Sequence, residues 1–583
     1  MAQAEKNKLE DLIGRHKEIS RRDELIHTYR QAIRNFTTLT KAMVIKGSMF
    51  LNELFPSYER MNSSLHKKCG DQDVVDITAF SYALQRLPEE IATAKEVYIK
   101  SNVEDLSQVG GIKVLSSLRQ GARKRTMYGT GQGHIQMVAR EGVTDIYDII
   151  SCLIMYSKEG SKIKEKLLAH KQETGHDLIK RAQELSRVKE SEEKNQLMVE
   201  LSDKFNVDYS KLRSTDRKLD YKLLGIIANL AAQKPGELRI EFDSEFSRTD
   251  DPKKAKKWCN RIKKELEEYK ERPIIIISSD THGAVNCLTG FAQECKEEIV
   301  ELAKKDDELN KVKAESINGL YFLSQKLCKA HPELFEKKIA YEQRIGVKFL
   351  RDVHNTGIDV QIIDTGKLDL EKIDPRIKVK KKFEKGKAPI ILNIDYAFGQ
   401  EGKDIMDELC DSFGTRIESI SITGKAGILC GRLYDIMLPD FIIPQIEGGG
   451  VYNIPNGGNR LKKEQLQDYY SAHKIHDNGS MLTVPGTAIQ NELVLMDYLE
   501  RYNTLGLEME AAPYFDSIEK AYARKKLRKD IMMNVGYWAS DNPLNEAETL
   551  AEDHMDQGFE PTYSIMAAVL NNVLNYQTEE QDE

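Results

Sequence analysis

The stretch PIIIISSDTHG, residues 273–283, decides the fold. Its four consecutive isoleucines are apolar and β-branched, which favours a strand buried on both faces. Small polar residues follow the isoleucines, as is typical of a strand-end loop, and an amphipathic helical pattern, CLTGFAQECKEEIVELAKK, comes next. Similar apolar runs recur downstream at IDVQIID (358–364), APIILNIDYAFG (388–399), RIESISITGKAG (416–427), DIMLPDFIIP (435–444) and GSMLTVPG (479–486).

These apolar runs alternate with amphipathic helical stretches, and that alternation predicts a sheet covered by helices on both faces. We therefore expect an α/β domain over residues 273–583. Ligands in such folds collect at the carboxyl ends of the strands, so the loops after these runs are the expected place for a site.

The first 235 residues have a different pattern, with apolar residues recurring at spacings of three and four. Strand-like runs are nearly absent there, and Pro235 and Gly236 form a stop signal. We predict an all-α domain over 1–235 and a charged helical connector over 236–272, which contains KKAKKWCNRIKKELEEYKERP.

Composition sets outer bounds on the class of protein. The chain of 583 residues is too long for one core, and its formal net charge of -7 gives no general attraction to nucleic acid or an anionic membrane. The 8 cysteines include no CxxC pair, which argues against a structural zinc site and a disulfide framework. No apolar stretch approaches the ~20 residues that span a bilayer, and MAQAEKNKLEDLIGRHKE lacks a signal-peptide core. We expect a cytoplasmic protein.

Four segments of the C-terminal half carry a family resemblance. They are IDYAFGQEGKDIMDELCDSF (394–413), ISITGKAGILCGRLYDIMLPD (420–440), GLEMEAAPYF (506–515) and NVGYWASDNPLNEAETLAED (534–553). In order and rough spacing they resemble the nucleoside phosphorylase and nucleosidase superfamily, which includes purine nucleoside phosphorylases, uridine phosphorylases and methylthioadenosine nucleosidases. The resemblance implies an α/β/α domain with a central, mostly parallel mixed sheet. It also implies an enzyme that cleaves the N-glycosidic bond of a purine nucleoside or nucleotide.

The resemblance also assigns roles to the residues of these segments. Glu510 would accept hydrogen bonds from the ribose hydroxyls, and Met509 would pack on the sugar. Glu508, Ser540 and the residues 424–427 would also contact the substrate. Asp541, which follows Ser540 at a strand end, would protonate the departing base if burial raised its pKa. The base would lie near the backbone of Ala488 and Ile489.

The nucleophile is left open between water and phosphate. The turn Gly424, Lys425, Ala426, Gly427 resembles the Gly-Ser-Ala-Gly of the hydrolytic nucleosidases, with a lysine in place of the serine. The phosphorylases carry an arginine shortly before this turn, and this chain has none there. Lys425 could nevertheless hold inorganic phosphate as a co-substrate. No metal or other cofactor is expected. Family members assemble into oligomers, so a homo-oligomer is expected, and nucleic acid is not an expected partner.

Each assignment has a simpler alternative. Glu510 could begin a helix after Gly506, Asp541 could belong to the helix start Asp-Asn-Pro, and Lys425 could be a surface lysine on a tight turn. The alternative for the whole chain is a non-catalytic nucleotide-sensing or assembly protein that retains the fold.

Other features of the sequence carry weaker signals. Loop histidines at 282, 473 and 476 are expected to have no specific role. The basic, glycine-containing segment 119–134, the basic run 376–389 and the glycine-rich segment 446–460 are interpreted as solvated loops.

Overall fold

The structure is a computed structural model. It describes residues 2–101, 113–114, 126–129, 133–139, 142–168, 172–231, 238–247, 253–352, 356–379, 383, 386–446, 450–550 and 558–575. Much of the basic segment 119–134, and parts of 376–389 and 446–460, therefore lie outside the described residues.

The chain forms two compact units rather than three consecutive domains. The first unit contains Met1–Thr249, Pro485–Arg501 and Pro543–Glu552, and the second contains Asp250–Val484, Tyr502–Asn542 and Asp553–Glu583. The predicted connector 236–272 is divided between them, because its first part supplies a strand to the first unit and its second part supplies a helix to the second.

The first unit is helical but not all-α, so that prediction was wrong. Its helices are α1 (Ala2–Lys46), α2 (Phe55–Met61), α3 (Ile77–Leu84), α4 (Val143–Leu168), α5 (Gln172–Glu184), α6 (Glu192–Phe205), α7 (Tyr209–Lys218), α8 (Leu223–Ala231) and α17 (Glu492–Tyr502). Its strands are β1 (Ser48–Phe50), β2 (Glu96–Lys100), β3 (Lys113–Val114), β4 (Met127–Gly129), β5 (His134–Val138) and β6 (Arg239–Phe242). They form one sheet in the order β1-β6-β2-β5-β4-β3.

The second unit is built on a ten-stranded sheet. Its strands are β7 (Ile274–Ser278), β8 (Val347–Leu350), β9 (Val360–Asp364), β10 (Ile390–Ile394), β11 (Ile417–Ile428), β12 (Ile436–Pro444), β13 (Tyr452–Asn453), β14 (Ile475–Thr483), β15 (Thr504–Glu508) and β16 (Met532–Asp541). Its helices are α9 (Lys253–Glu265), α10 (Gly283–Thr289), α11 (Phe291–Glu294), α12 (Lys296–Ala303), α13 (Ile317–Ala330), α14 (Pro332–Arg344), α15 (Gly399–Phe413), α16 (Lys463–Gln467), α18 (Ala511–Ala523) and α19 (Phe559–Leu574).

Both faces of this sheet are buried, as the isoleucine runs predicted. Ile274 and Ile276 of β7 belong to one apolar core, which α9, α15 and α18 complete. Ile275 and Ile277 belong to a second core on the other face, with α10, α13 and α19. Successive side chains of a strand point to opposite faces, so an uninterrupted apolar run serves both cores. The second unit is therefore an α/β structure with helices on both faces of the sheet.

The sheet is mixed, with five parallel and five antiparallel pairs among its described strands, and its longest pairings, β11–β16 and β12–β14, are parallel. Among the described strands, β7 pairs in parallel with β10 and β11, whereas β15 runs antiparallel to β11. Part of the sheet closes into a ring, because β11 pairs with β15 and β16, β15 with β14, β14 with β12, and β12 with β16. Closing the ring introduces the antiparallel pairs β11–β15 and β12–β16.

The ring closes where two backbones approach closely. Gly427 of β11 pairs with Leu507 of β15, and Ile428 pairs with Gly506. A Cβ atom at Gly506 would lie 2.3 Å from the carbonyl oxygen of Gly427 and 2.5 Å from the sulfur of Met437. Only glycine fits at this position.

Within the described part of the chain, none of the helices combines the length and the apolar character needed to cross a bilayer.

The close approach at Gly506 can be tested by substitution. We expect Gly506→Ala to weaken the β11–β15 pairing by about 1–3 kcal/mol, because the added methyl group must displace backbone and a buried sulfur. Gly450→Ala is the matched control, since a Cβ there meets nothing within 4 Å. Hydrogen exchange of the amides of β11 and β15 measures the effect, and equal protection in the two variants would contradict it.

Candidate functional site

The candidate site lies where β7 and β10 end and β11 continues. The pairing of β11 with β7 stops at Ile422 and Ser278, yet β11 runs on to Ile428. The predicted turn Gly424, Lys425, Ala426, Gly427 is therefore not a turn but part of this extension, which β15 and β16 flank. This segment is called the 424–427 strand segment below.

Glu510 lies against the start of the 424–427 strand segment. Strand β15 ends at Glu508, and Glu510 stands directly before α18. A Cβ at Gly424 would lie 3.4 Å from Oε1 of Glu510 and 3.1 Å from the ring of Tyr396. The absence of a side chain at Gly424 thus gives room to a carboxylate that is only 3% exposed.

Tyrosines surround this carboxylate. Tyr537 of β16 is the register partner of Gly424, and the hydroxyl of Tyr514 lies 3.1 Å from the hydroxyl of Ser278 at the end of β7. Burial raises the pKa of Tyr396, Tyr514 and Tyr537, and the charge of Glu510 raises each of them further. The tyrosines therefore remain neutral hydroxyl groups beside the acid.

Glu508 has a structural task that the sequence did not reveal. Its Oε2 accepts hydrogen bonds from the backbone amides of Glu510 at 2.6 Å and Ala511 at 2.7 Å, and its Oε1 accepts one from the hydroxyl of Thr483. Thr483 in turn accepts from the amide of Ala512 at 3.0 Å. Glu508 and Thr483 thus satisfy the first amides of α18, which have no partner within the helix. Both carboxylate oxygens of Glu508 are thus engaged at the start of α18, and its contact with a substrate stays a prediction.

The side chain of Glu510 does not cap α18. Glu510 does stand at the start of a helix, as its simpler interpretation held, because it is the N-cap residue of α18; the capping hydrogen bonds come from Glu508 instead of its own side chain.

Asp541 lies against the other end of the 424–427 strand segment. The register of β16 against β11 shifts after Ala426, so that Asp541 rather than Ser540 stands opposite Gly427. An additional residue in one strand re-aims the side chains beyond it. A Cβ at Gly427 would lie 3.2 Å from Oδ2 of Asp541. Glu510 and Asp541 therefore approach glycines three positions apart, a separation of roughly 10 Å along an extended strand.

The environment of Asp541 changes its acidity. The side chain is 5% exposed, and burial raises its pKa from 3.8 to about 6, although the hydroxyl of Ser540 and the charge of Lys425 oppose the change. The hydroxyl of Ser540 donates to Oδ1 at 2.8 Å. Near neutral pH a measurable fraction of Asp541 therefore carries a proton that it can give away.

Two other predicted residues belong to the same region of the second unit. Met509 is almost buried, and its carbonyl oxygen accepts a hydrogen bond from the amide of Gly399 at 3.3 Å. Lys425 is half-buried, which does not match the alternative of an exposed surface lysine.

Ala488 and Ile489 belong to the first unit. The carbonyl oxygen of Ala488 accepts a hydrogen bond from the hydroxyl of Ser63 at 2.7 Å, and Ile489 is fully buried. Their predicted contact with a base stays a prediction.

Sequence reasoning missed the polar residues after β7. Oδ1 of Asp280 accepts hydrogen bonds from the amides of His282 and Gly283, and it lies 3.1 Å from Nδ1 of His282. The hydroxyl of Tyr563 is 3.2 Å from the same nitrogen, and burial lowers the pKa of His282. Their position directly after a buried strand was the signal, because strand-end residues gather at one edge of a sheet.

Among the residues that the structure describes, no group of three or more His, Cys, Asp or Glu side chains is placed so that it could hold a metal ion.

A family model matches residues 51–575, and its description is "Family of unknown function (DUF6909)". The chain belongs to this family. A comparison with curated proteins found no match.

Several solved structures resemble part of this DUF6909 chain. Futalosine hydrolase of Helicobacter pylori strain 26695 has a TM-score of 0.29 at 10% identity, covering 52% of this chain and 99% of that one. Isoform 2 of uridine phosphorylase from Schistosoma mansoni has a TM-score of 0.29 at 11% identity, covering 53% and 90%. A 5'-methylthioadenosine/S-adenosylhomocysteine nucleosidase from S. pneumoniae has a TM-score of 0.28 at 13% identity, covering 41% and 95%. At these values the similarities do not bear on function.

The raised pKa of Asp541 predicts a pH-dependent stability. Since its folded-state pKa lies above its usual value, the stabilisation is present below about pH 4 and is lost as the pH rises through about 6. Asp541→Asn avoids the cost of ionisation, so we expect it to exceed the parent in stability by up to about 3 kcal/mol at pH 8 and to match it at pH 4.

Thermal unfolding at the two pH values measures this difference. Asp468→Asn, at an exposed position, is the control and should follow the parent at both. If Asp541→Asn is less stable than the parent at pH 8, the protein stabilises the ionised carboxylate, and the expected cost of ionisation is contradicted.

The capping role of Glu508 predicts a contrast between two substitutions. Glu508→Ala leaves buried amides without acceptors and should cost about 2–4 kcal/mol. Glu508→Gln should cost less than about 1 kcal/mol, because its amide oxygen can face the two backbone amides while its nitrogen faces Thr483. Hydrogen exchange of the first turn of α18 measures both, and equal losses would contradict the capping role.

Proposed function

We propose that this protein cleaves the N-glycosidic bond of a purine nucleoside or nucleotide. The observation that carries the proposal is a pair of buried acids that lie against the 424–427 strand segment. Glu510 lies next to Gly424 and Asp541 next to Gly427, and the pKa of Asp541 is about 6.

Glu510 has the properties needed to hold the sugar. Cleavage of the bond between C1′ and the base builds positive charge on the ribose, and a buried carboxylate stabilises that charge while it accepts hydrogen bonds from sugar hydroxyls. Neutral tyrosines around Glu510 keep the local dielectric low without competing for the positive charge.

Asp541 has the properties needed to release the base. Negative charge develops on a purine as it departs, and an acid with a pKa near the working pH is the most effective proton donor. Burial gives Asp541 such a pKa, and the hydrogen bond from Ser540 fixes its Oδ1. Oδ2 then lies against Gly427, where a side chain would crowd the carboxyl group.

Hydrolysis is the preferred form of the reaction. A phosphate dianion beside C1′ ordinarily requires arginine and several amides, whereas the 424–427 strand segment contributes one cation, Lys425. Lys425 would then orient water or bind the 5′-phosphate of a nucleotide substrate.

Incubation with adenosine, inosine, AMP and methylthioadenosine, each with and without phosphate, tests the proposal. We expect release of free base from at least one of them without phosphate. Glu510→Gln and Asp541→Asn should each lower kcat/KM by about 100-fold or more. Asp468→Asn, outside the site, should retain full activity.

The burial of the two acids favours a second candidate, a non-catalytic nucleotide-sensing or assembly protein. Glu510 is 3% and Asp541 5% exposed, so a ligand reaches them only if neighbouring chain moves. Nucleotide binding that Glu510→Gln weakens, with no base released from any compound, would support this candidate and overturn the enzymatic one.

A further inference from the structure

A recess in the first unit is lined by an excess of cations that the proposed function does not use. It lies between the start of α6 and the end of α7, and Tyr221, just after α7, also lines it. The charged side chains of the lining are four cations and two carboxylates: Lys189, Lys194, Arg213 and Arg217, with Glu190 and Asp216. The recess is therefore locally positive, although the chain as a whole has a formal net charge of -7. This group is called the 189–221 recess below.

A buried ion pair forms the fixed part of the 189–221 recess. Nζ of Lys194 lies 2.7 Å from Oδ2 of Asp216 and donates a hydrogen bond to the carbonyl oxygen of Val188 at 2.7 Å. Oδ1 of Asp216 accepts a hydrogen bond from the amide of Leu223 at the start of α8. The pair thus joins α6, α7 and α8, and Lys194 and Asp216 balance each other's charge. The positive excess rests on the other cations.

The turn after α7 has an uncommon backbone conformation. Asp220 and Tyr221 have φ values of 52° and 63°, in the left-handed region that side chains other than glycine rarely adopt. The amide of Tyr221 donates to the carbonyl oxygen of Asp216 at 2.7 Å, which holds the turn in place. Residues held in such conformations cost free energy and are concentrated at functional sites.

This turn places an aromatic ring beside two of the cations. The ring centre of Tyr221 lies 5.3 Å from Nζ of Lys194 and 6.0 Å from Nζ of Lys189. Cations at this distance from an aromatic ring are attracted to its face. Tyr221 therefore restrains the exposed Lys189 at the edge of the recess.

Two cations of the recess are available to an anion. Lys189 and Arg217 are exposed, and within the part of the chain that the structure describes neither has a carboxylate at ion-pair distance. Arg213 is half-buried, and its Nη2 lies 2.8 Å from Oε1 of the exposed Glu190. Ammonium and guanidinium groups donate several hydrogen bonds and accept none, so a ligand that meets them must supply acceptor oxygens.

We propose that the 189–221 recess binds a small anion that carries phosphate groups, through Lys189 and Arg217 with Arg213 beside them. A phosphate group matches this arrangement, because its tetrahedral oxygens can accept from several cations at once and its charge exceeds that of a single carboxylate. The inference does not depend on cleavage of a nucleoside, since the recess lies in the first unit and the candidate site in the second.

Calorimetric titration of the full chain with pyrophosphate and with ADP, at about 0.15 M salt, tests the proposal. Both ligands carry a diphosphate, and we expect both to bind with saturation. Equal affinities would show that the diphosphate alone is recognised, and tighter binding of ADP would show that the ligand is a nucleotide. Binding of neither would overturn the proposal.

Substitutions locate the binding. Lys189→Gln and Arg217→Gln should each weaken pyrophosphate binding about tenfold, because each removes a charged hydrogen-bond donor. Thermal unfolding should stay unchanged in both variants, since both side chains are exposed. Lys211→Gln is the matched control, because Lys211 is an exposed lysine of α7 that does not line the recess. An equal loss in Lys211→Gln would show general attraction of anions and would overturn the proposal.

A second pair of variants separates the recess from the candidate site. Lys425→Gln should bind pyrophosphate as the parent does, whereas the double variant Lys189→Gln/Arg217→Gln should lose nearly all binding. The reverse result would place the anion in the second unit and overturn the proposal. Absence of nucleoside cleavage in the parent would leave these expectations unchanged, so the two proposals fail separately.

Discussion

The close approach of two backbones at Gly427 and Gly506 is the constraint on which the second unit depends. Their contact lets β15 pair with β11, and that pairing closes the ring that β12, β14 and β16 complete. Closure holds the part of β11 that extends beyond β7, and this extension presents glycines to Glu510 and Asp541. A side chain at Gly506 would therefore disturb the support of both acids, although it touches neither.

Three carboxyl groups in this region show how environment assigns different tasks to one chemical group. Glu508 accepts hydrogen bonds from two amides and a hydroxyl, and so stabilises the start of α18. Glu510 lies among tyrosines, while Asp541 has one hydroxyl partner and a pKa of about 6. Burial raises the pKa of both Glu508 and Asp541, and the donors that Glu508 meets oppose that change.

The sequence predicted the features that depend on strong local patterns. The isoleucines of β7 identified a strand buried on both faces. The family resemblance singled out Glu510 and Asp541, which the structure places against one strand segment, while their roles stay a prediction. The sheet of the first unit was missed because its strands are two to five residues long and polar residues interrupt them, as in Glu96–Lys100. The additional residue Ser540 was missed because it depends on pairing register, which no single segment encodes.

The division of the chain has a consequence for how such a protein can change over generations. The chain passes from the second unit to the first directly after β14 and again directly after β16, and it returns each time. Neither unit is encoded by one continuous part of the gene, so a single recombination event cannot exchange a whole unit. A premature stop codon after residue 484 would remove α17 from the first unit and β15 from the second together. The two units are consequently inherited, and lost, as one.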